Sequence, residues 1–562
     1  MKRRSIPLNY WLLGITLAFP FIAWILVTRI LPPIPFDDAP LHHHWHKYLI
    51  ARTNYGNFIV GYCIAGIALA SMVFYYHNWV EDNWQKVLNF FLAASLLGFI
   101  TYSLRSSFSI DEFEHIHVSW NISNGLQPYT DFFEHHHGLM WYILAPLIPL
   151  VENHSTVLLL SRIISLGFWL LTLLGVYRTA LLLTGNRTAS KISVLLLLTC
   201  FVCTKNAIEF RPDNPQVTFG IWSLYFFFRF RKFGGSFDML ISGIFMGISF
   251  LFLQKALHFC AVLGCYQLFL ALTRRISWTS VGIFTVACLV PVLPFALLYL
   301  VNGLAGEYYF FNWTLNFNKI ASVGTWIYLI PDLLLDPFLL LLFGIALISL
   351  LRKDGKVSLD MKATAIMTIA LVLIAFSHPN AWPHYFMPAW PVAAIFTGFF
   401  LNQRFGHIQK QYQAAILLYI TGFSFGITTV SSFVYSNQIA LDQTNYLQKN
   451  GISDNYAADR YLHHNAFAKD MHFFWFSFKD HLSYPVYKEL INKEPYSSWV
   501  KEHHDDFDFG HLLETKRPKF IHINKMEKKT PFAYAPEIIQ RYDPGPWEGL
   551  FQIKAEYEVP AQ

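Results

Sequence analysis

The chain has 562 residues, of which 54% are hydrophobic, 18% aromatic and only 14% charged, with a formal net charge of +6. A charged fraction so far below the roughly 25% of an ordinary soluble domain, with apolar residues bunched into runs near the roughly 20 that cross a bilayer, excludes a purely water-soluble protein. The basic residues sit in short loops beside helix ends, where insertion topology accounts for them, so the net charge carries no nucleic-acid signal.

The first element is an apolar run at 9–31 behind the basic start Met1-Lys2-Arg3-Arg4. It has the outline of a signal peptide, but its length and the lack of a clear small-residue cleavage site favour a retained helix. Further apolar spans follow at 57–77, 87–104, 156–184, 191–206, 214–230, 237–254, 256–273, 279–302, 336–351, 363–377, 386–401 and 413–434. The expected fold is therefore a polytopic α-helical membrane protein of about thirteen transmembrane helices. The cysteines Cys63, Cys200, Cys203, Cys260, Cys265 and Cys288 lie in or beside these runs, which indicates neither a disulfide framework nor a thiolate zinc site. The C-x-x-C spacing of Cys200 and Cys203 falls within a span and is read as structural.

With the N-terminus inside, the inner loops carry Arg187 and Lys191; Arg229, Arg231 and Lys232; Arg274 and Arg275; Arg352, Lys353 and Lys356; and Arg404 and Lys410. This satisfies the positive-inside rule except at 78–86, where Glu81 and Asp82 outnumber Lys86. The stretches 31–56, 105–155, 303–335 and everything after about residue 435 are then outside, with shorter outer turns near 207–213 and 378–385. The tail from 436 to 562 is charged and turn-rich. Residues 551–559 alternate apolar and polar positions like a strand, 519–524 reads as a second strand, and 437–450 and 484–502 look helical. The expected domains are an N-terminal extension at 1–86 with two helices, a transmembrane domain at 87–435 whose outer loop is 105–155, and a small extracytoplasmic α/β domain at 436–562.

Chemistry-bearing residues collect on the outer side. The loop after the third span holds five carboxylates, Asp111, Glu112, Glu114, Asp131 and Glu134, and five histidines, His115, His117, His135, His136 and His137. If 111–122 is helical, Asp111, Glu114 and His115 share a face, with Phe113, Ile116 and Trp120 available to lie on the membrane. A merely solvated polar loop is the competing reading. Against it stand ionisable residues near the outer ends of other spans, where membrane depth makes charge costly: Arg211 and Asp213, Lys255 and His258, and His378 and His384.

The order Asp111-Glu112, then Gly125-x-x-Pro128-Tyr129-x-Asp131-x-x-Glu134-x-His136, then a Trp141-containing apolar segment and the turn Arg211-Pro212-Asp213, resembles the GT-C membrane glycosyltransferases. Within them it is similar to the protein O-mannosyltransferase and aminoarabinose transferase superfamily, the family 39-like enzymes. The resemblance covers roughly residues 87–562 and extends to Lys255 at a helix end, the His384-Tyr385-Phe386-Met387-Pro388 turn and the tail segment Phe473-Phe474-Trp475.

It implies inverting sugar transfer from a polyprenyl-phosphate donor to a protein, lipid or polysaccharide acceptor at the outer face of a membrane, by analogy the bacterial inner membrane. Asp111, matching the first acid of the family motif, is then the general base, and Glu112 orients it or binds the acceptor. Arg211, Lys255 and His384 suit the donor phosphate, Arg by bidentate bonding and Lys as a point charge, with Asp213, His258, His378 and Tyr385 completing the expected substrate-binding set. Some relatives bind a divalent metal at the second acidic motif, where Asp131, Glu134 and His136 offer oxygen and imidazole ligands.

Two features depart from the family pattern. The first two helices precede its usual start, with Asp37, Asp38 and the cluster His42-His43-His44-Trp45-His46 between them, read as an interfacial anchor. A proline usual near the position of Gly138 or Leu139 is missing. Two other functions compete. A transporter or flippase would use the intramembrane ions as a path, but no inverted repeat is evident. A polysaccharide polymerase or ligase would rely on the 303–335 loop, which holds only Glu307 before Asp332. The sequons at Asn121 and Asn312 are short patterns to which no function is attached. The tail is expected to help position the acceptor.

Overall fold

The computed structural model describes residues 70–314, 337–350, 357–378, 382–405, 410–434, 436–451, 456–458, 466–469, 514–522, 540–547 and 549–557, with single positions 18, 66, 68 and 316. The helices that organise it are α1 Trp84–Arg105, α2 Ile110–Ser123, α3 Leu139–Leu144, α4 His154–Thr184, α5 Arg187–Leu198, α6 Phe201–Ile208, α7 Asp213–Phe233 and α8 Ser236–Phe252. They continue with α9 Ala256–Leu272, α10 Trp278–Val301, α11 Pro337–Leu350, α12 Leu359–Ser377, α13 Ala389–Phe405, α14 Lys410–Val434 and α15 Gln438–Lys449.

Every expected span from 87–104 onward falls on one of these helices, with one correction. The run 191–206 is two helices, α5 and α6, bent by 69° at their junction. Thr199 turns its hydroxyl back onto the carbonyls of Leu195 and Leu196, and Cys200 is extended, so the helical ladder stops there. Among the described residues α1, α4, α10 and α12 are each long and apolar enough to cross a membrane, and α5 with α6 makes a fifth if the bent pair is one span. Shorter apolar helices such as α8 and α9 stand beside them. The 9–31 run, apart from position 18, and the His42–His46 cluster with Asp37 and Asp38 lie outside the described residues, as do the helix expected at 484–502 and the Phe473–Trp475 segment.

The chain divides into two compact units, the first made of 1–106, 162–294 and 321–436 and the second of 107–161, 295–320 and 437–562. In the first, α7 and α8 form a hairpin. Gly234, at φ +79°, takes the left-handed turn after α7 that a side chain would strain, and its N–H donates to Phe230 O at 2.7 Å. Ser223 and Ser242 exchange hydroxyl-to-carbonyl bonds of 2.8 Å across the hairpin, a polar contact suited to helices that lipid does not drive together. Gly243 and Gly247 bring α8 against α10 so closely that a Cβ at either would overlap the carbonyl of Phe284 or Cys288. In the last turn of α7, Arg231 pairs with Asp360 at 3.3 Å, and Tyr266 donates to the same carboxylate at 2.6 Å. These bonds tie α7, α9 and α12 together.

The second unit contains α2, α3, α15 and a four-stranded sheet of β1 Tyr456–Ala458, β2 Phe520–His522, β3 Tyr542–Pro544 and β4 Leu550–Ile553 in the order β1-β2-β4-β3. The β1–β2 pair is parallel and the others antiparallel. Leu447 of α15 packs with Phe520, Leu550 and Ala468 to form its core. The strand expected over 551–559 is shorter. After Lys554 N–H donates to Arg541 O, residues Ala555–Tyr557 turn into a 3-10 helix. Phe113, Ile116 and Trp120, available by helical spacing to lie on the membrane, are buried within the protein at 7%, 0% and 7% exposure.

Candidate functional site

The helix α2 begins with a reciprocal cap. Ser109 Oγ accepts from Glu112 N, and the Glu112 carboxylate accepts Ser109 N–H at 2.9 Å. Glu112 is fully buried in this role, whereas Asp111, in the same first turn, is half-buried. The cap thus fixes the position of Asp111 through the backbone that carries it. Further along α2, Glu114, His115, His117 and Asn121 are all buried, with Trp141 Nε1 of α3 donating to His115 Nδ1 at 3.1 Å.

The turn after α2 folds its acidic and imidazole groups inward. Gly125, at φ +84°, starts it, and the Tyr129 hydroxyl donates to His136 O at 2.7 Å. Burial pushes that hydroxyl well above its ordinary pKa, so it stays a donor. Glu134 Oε1 accepts from the backbone N–H of His135 at 2.7 Å and of His136 at 3.0 Å, and lies 2.8 Å from His136 Nδ1. Glu114 Oε1 lies 3.4 Å from the same nitrogen and 3.9 Å from His135 Nδ1. One ligand atom from each of Glu114, Glu134, His135 and His136 falls within 4.8 Å of the others.

Two buried carboxylates this close repel unless a positive charge sits with them, and two oxygens with two imidazole nitrogens form a donor set suited to a divalent transition metal or zinc. Of the expected metal residues, Glu134 and His136 are in this group. Asp131 is not: it is exposed, and its carboxylate closes the turn by accepting Gln127 N–H at 2.7 Å. Asn316 donates to His135 O at 2.8 Å, and the Tyr308 hydroxyl bonds His137 Nε2, so a later segment of the chain braces both the loop's backbone and its last histidine. Glu114 and His135 were visible only as members of an acidic, histidine-rich stretch; the closing turn selects them.

In the first unit, the expected substrate-binding residues do come together. Arg211, only 6% exposed, reaches Glu209 at 3.3 Å, Asp213 at 3.5 Å and His384 Nε2 at 3.2 Å. Lys255 Nζ lies 3.4 Å from Asp213 and 3.7 Å from the centre of the Tyr385 ring, a close cation–π contact. His378 and His384 both meet the Tyr385 ring edge-on, each with ring centres 4.7 Å apart. Asp213, Lys255, His258, His378, His384 and Tyr385 line one polar recess, with Leu371, Ala375 and Pro388 as its apolar wall. The bend before α7, the start of α9 and the 3-10 turn Pro383–Phe386 supply these groups from separate segments. Sequence reasoning left out Gln216, which also lines the recess, and Arg162, which is fully buried on α4 and donates to Ser103 O at 2.8 Å and Ser106 Oγ at 3.0 Å. The i+3 spacing of Gln216 from Asp213 was the available signal for the former.

This helical architecture, with its apolar spans, is the fold of the GT-C membrane glycosyltransferases, as the resemblance implied. Residues 136–299 match the family model described as dolichyl-phosphate-mannose-protein mannosyltransferase. The chain is similar to ArnT from Cupriavidus metallidurans in its crystal structure bound to undecaprenyl phosphate, with 14% identity and a TM-score of 0.59 over 84% of this chain and 99% of that one. The apo structure of the same protein gives the same identity and TM-score over 84% and 98%. A weaker likeness, 13% identity and a TM-score of 0.46 over 86% of this chain and 75% of that one, links it to the archaeal oligosaccharyltransferase AglB from Archaeoglobus fulgidus, solved with an inhibitory peptide and a dolichol-phosphate. No curated protein matches it in sequence.

Proposed function

We propose that this protein is an inverting glycosyltransferase that moves a sugar from a polyprenyl-phosphate donor to an acceptor at the extracytoplasmic face of a membrane, the bacterial inner membrane by analogy, with its tail on that same face. The observation that carries this reading is the recess lined by Lys255, His384 and Tyr385, with Arg211 bonded to His384 behind it: two cations and neutral donors held at apolar helix ends. Such a set suits a lipid phosphate, whose charge arrives at headgroup depth. The matched family description and the undecaprenyl phosphate of the ArnT structure support the same donor class.

A polyprenyl phosphate leaves as a stabilised anion, so the enzyme needs chiefly a base and cations. Asp111 takes the proton of the acceptor hydroxyl. The freed oxygen attacks the anomeric carbon, the bond from that carbon to the phosphate oxygen breaks, and the electron pair departs with the lipid phosphate, inverting the centre. Arg211, Lys255 and His384 receive the phosphate, with Asp213, His258, His378 and Tyr385 holding them in place. Glu112 positions Asp111 through the helix cap. Glu114, Glu134, His135 and His136 would hold a divalent cation, which when bound supplies a fixed positive charge beside the acidic loop. The acceptor is a protein, a lipid or a polysaccharide.

The test is transfer by the purified protein from a panel of radiolabelled polyprenyl-phosphate sugars into envelope extract, with Asp111→Asn in parallel. Transfer by wild type that the variant lowers by about 10²- to 10⁴-fold is expected. Consumption of no donor across the panel by wild type would overturn the reading.

A further inference from the structure

Asp213 and Gln216 stand one turn apart on α7 and line the recess together. Gln216 is 1% exposed, and among the described residues its Nε2 has no hydrogen-bond partner. Its structural duty lies elsewhere, in the backbone carbonyl that accepts Ser249 Oγ at 2.7 Å. A buried amide donor with nothing to bond weakens the folded state, so a side chain kept this way at the wall of a polar recess points to a ligand that completes it.

The surrounding charge narrows that ligand. The two fixed cations, Arg211 and Lys255, already face two carboxylates, Glu209 and Asp213, so their formal charges cancel. An anion entering the recess gains most from donors not already engaged with a carboxylate, and the Gln216 amide is one. Building on the lipid-phosphate reading above, we propose that Gln216 is a further ligand-binding residue, whose Nε2 donates a hydrogen bond to a phosphate oxygen of the polyprenyl phosphate. A glutamate there would carry the wrong charge, and a methionine would have nearly the right shape but no donor.

The experiment compares full-length wild type, Gln216→Met and Gln216→Glu in detergent by two readouts, thermal midpoint and affinity for undecaprenyl phosphate, with undecaprenol and inorganic phosphate as further probes. Gln216→Met is expected to keep or raise the thermal midpoint while weakening undecaprenyl phosphate binding by about tenfold or more. Gln216→Glu is expected to weaken it further, and undecaprenol binding should not respond to either substitution. Competition by inorganic phosphate that is lost in the variants supports a free-phosphate site. Sensitivity of the lipid form alone supports a headgroup site, and both outcomes keep the phosphate contact.

A lower thermal midpoint in Gln216→Met, an unchanged affinity, or an equal loss of undecaprenol binding would overturn the inference while leaving the donor class standing. If wild type binds neither undecaprenyl phosphate nor inorganic phosphate, the functional reading itself falls and takes the inference with it.

Discussion

Glu114 and Glu134 converge on one imidazole: their Oε1 atoms lie 3.4 Å and 2.8 Å from His136 Nδ1, and both carboxylates are buried. One comes from the middle of α2 and the other from the turn that follows it. A neutral imidazole offers a single N–H to two anions at that nitrogen, so the arrangement favours an extra positive charge, either a proton on histidine or a bound cation.

A bound cation is the outcome we expect. Purified protein equilibrated with zinc or manganese should retain metal after gel filtration. Glu134→Gln should lower its affinity at least about tenfold, since even outer-shell changes cost this much. Elemental analysis of wild type and of a Glu114→Gln/Glu134→Gln double variant checks it. Equal metal content in the two would remove the site and leave the transferase untouched.

The first turn of α2 separates chemistry from folding. Glu112→Gln keeps a side chain that can complete the cap, so activity and thermal midpoint should both stay near wild type, whereas Glu112→Ala should destabilise the helix start by about 1 kcal/mol. Asp111→Asn should leave the midpoint in place and abolish most transfer. Paired melting curves and initial rates distinguish these cases. A Glu112→Gln enzyme as inactive as Asp111→Asn would give Glu112 a direct part in the reaction.

Arg211 is tied to Glu209, Asp213 and His384. Arg211→Lys keeps the charge but loses the planar fork that spans these partners, so the KM for the lipid donor should rise by about tenfold with a smaller change in kcat. Arg211→Ala takes the guanidinium from two buried carboxylates, of which Asp213 keeps Lys255, and should destabilise the protein by about 3 kcal/mol. Steady-state kinetics and thermal unfolding in the same detergent decide between loss of binding and loss of fold.

The tail carries an alkaline sensitivity. Burial raises the pKa of Tyr542 above its ordinary value, and its hydroxyl donates to Pro518 O at 2.8 Å. Because the folded state holds this proton more tightly than the unfolded state, the associated stability is complete below the ordinary tyrosine pKa of about 10 and declines as pH rises past it. Hydrogen exchange in β2–β4 should therefore accelerate above that pH in wild type and less steeply in Tyr542→Phe. Identical pH profiles would remove Tyr542 as the cause.

Hydropathy alone determined the membrane class and the positions of the long apolar helices from α1 onward, apart from the break between α5 and α6, because a run of apolar residues near bilayer length has few other stable states. The cap at Ser109 and Glu112 has partners only three residues apart, but it emerged with the structure, since in the sequence Glu112 was assigned only to the chemistry. The alternating pattern at 551–559 marked a strand but not its end, which depended on where Lys554 found its partner across the sheet. Tertiary structure alone decided which members of the histidine-rich loop meet. Asp131 and Glu134 look alike in sequence, but the turn uses the first for its own backbone and aims the second at His136. Residues as distant as Asp213, Lys255 and His384 likewise became one recess, with Arg211 bonded to His384, only through helix packing. Gln216, an unremarkable polar residue in the chain, gained its meaning when that packing enclosed its amide beside them without an acceptor among the described residues.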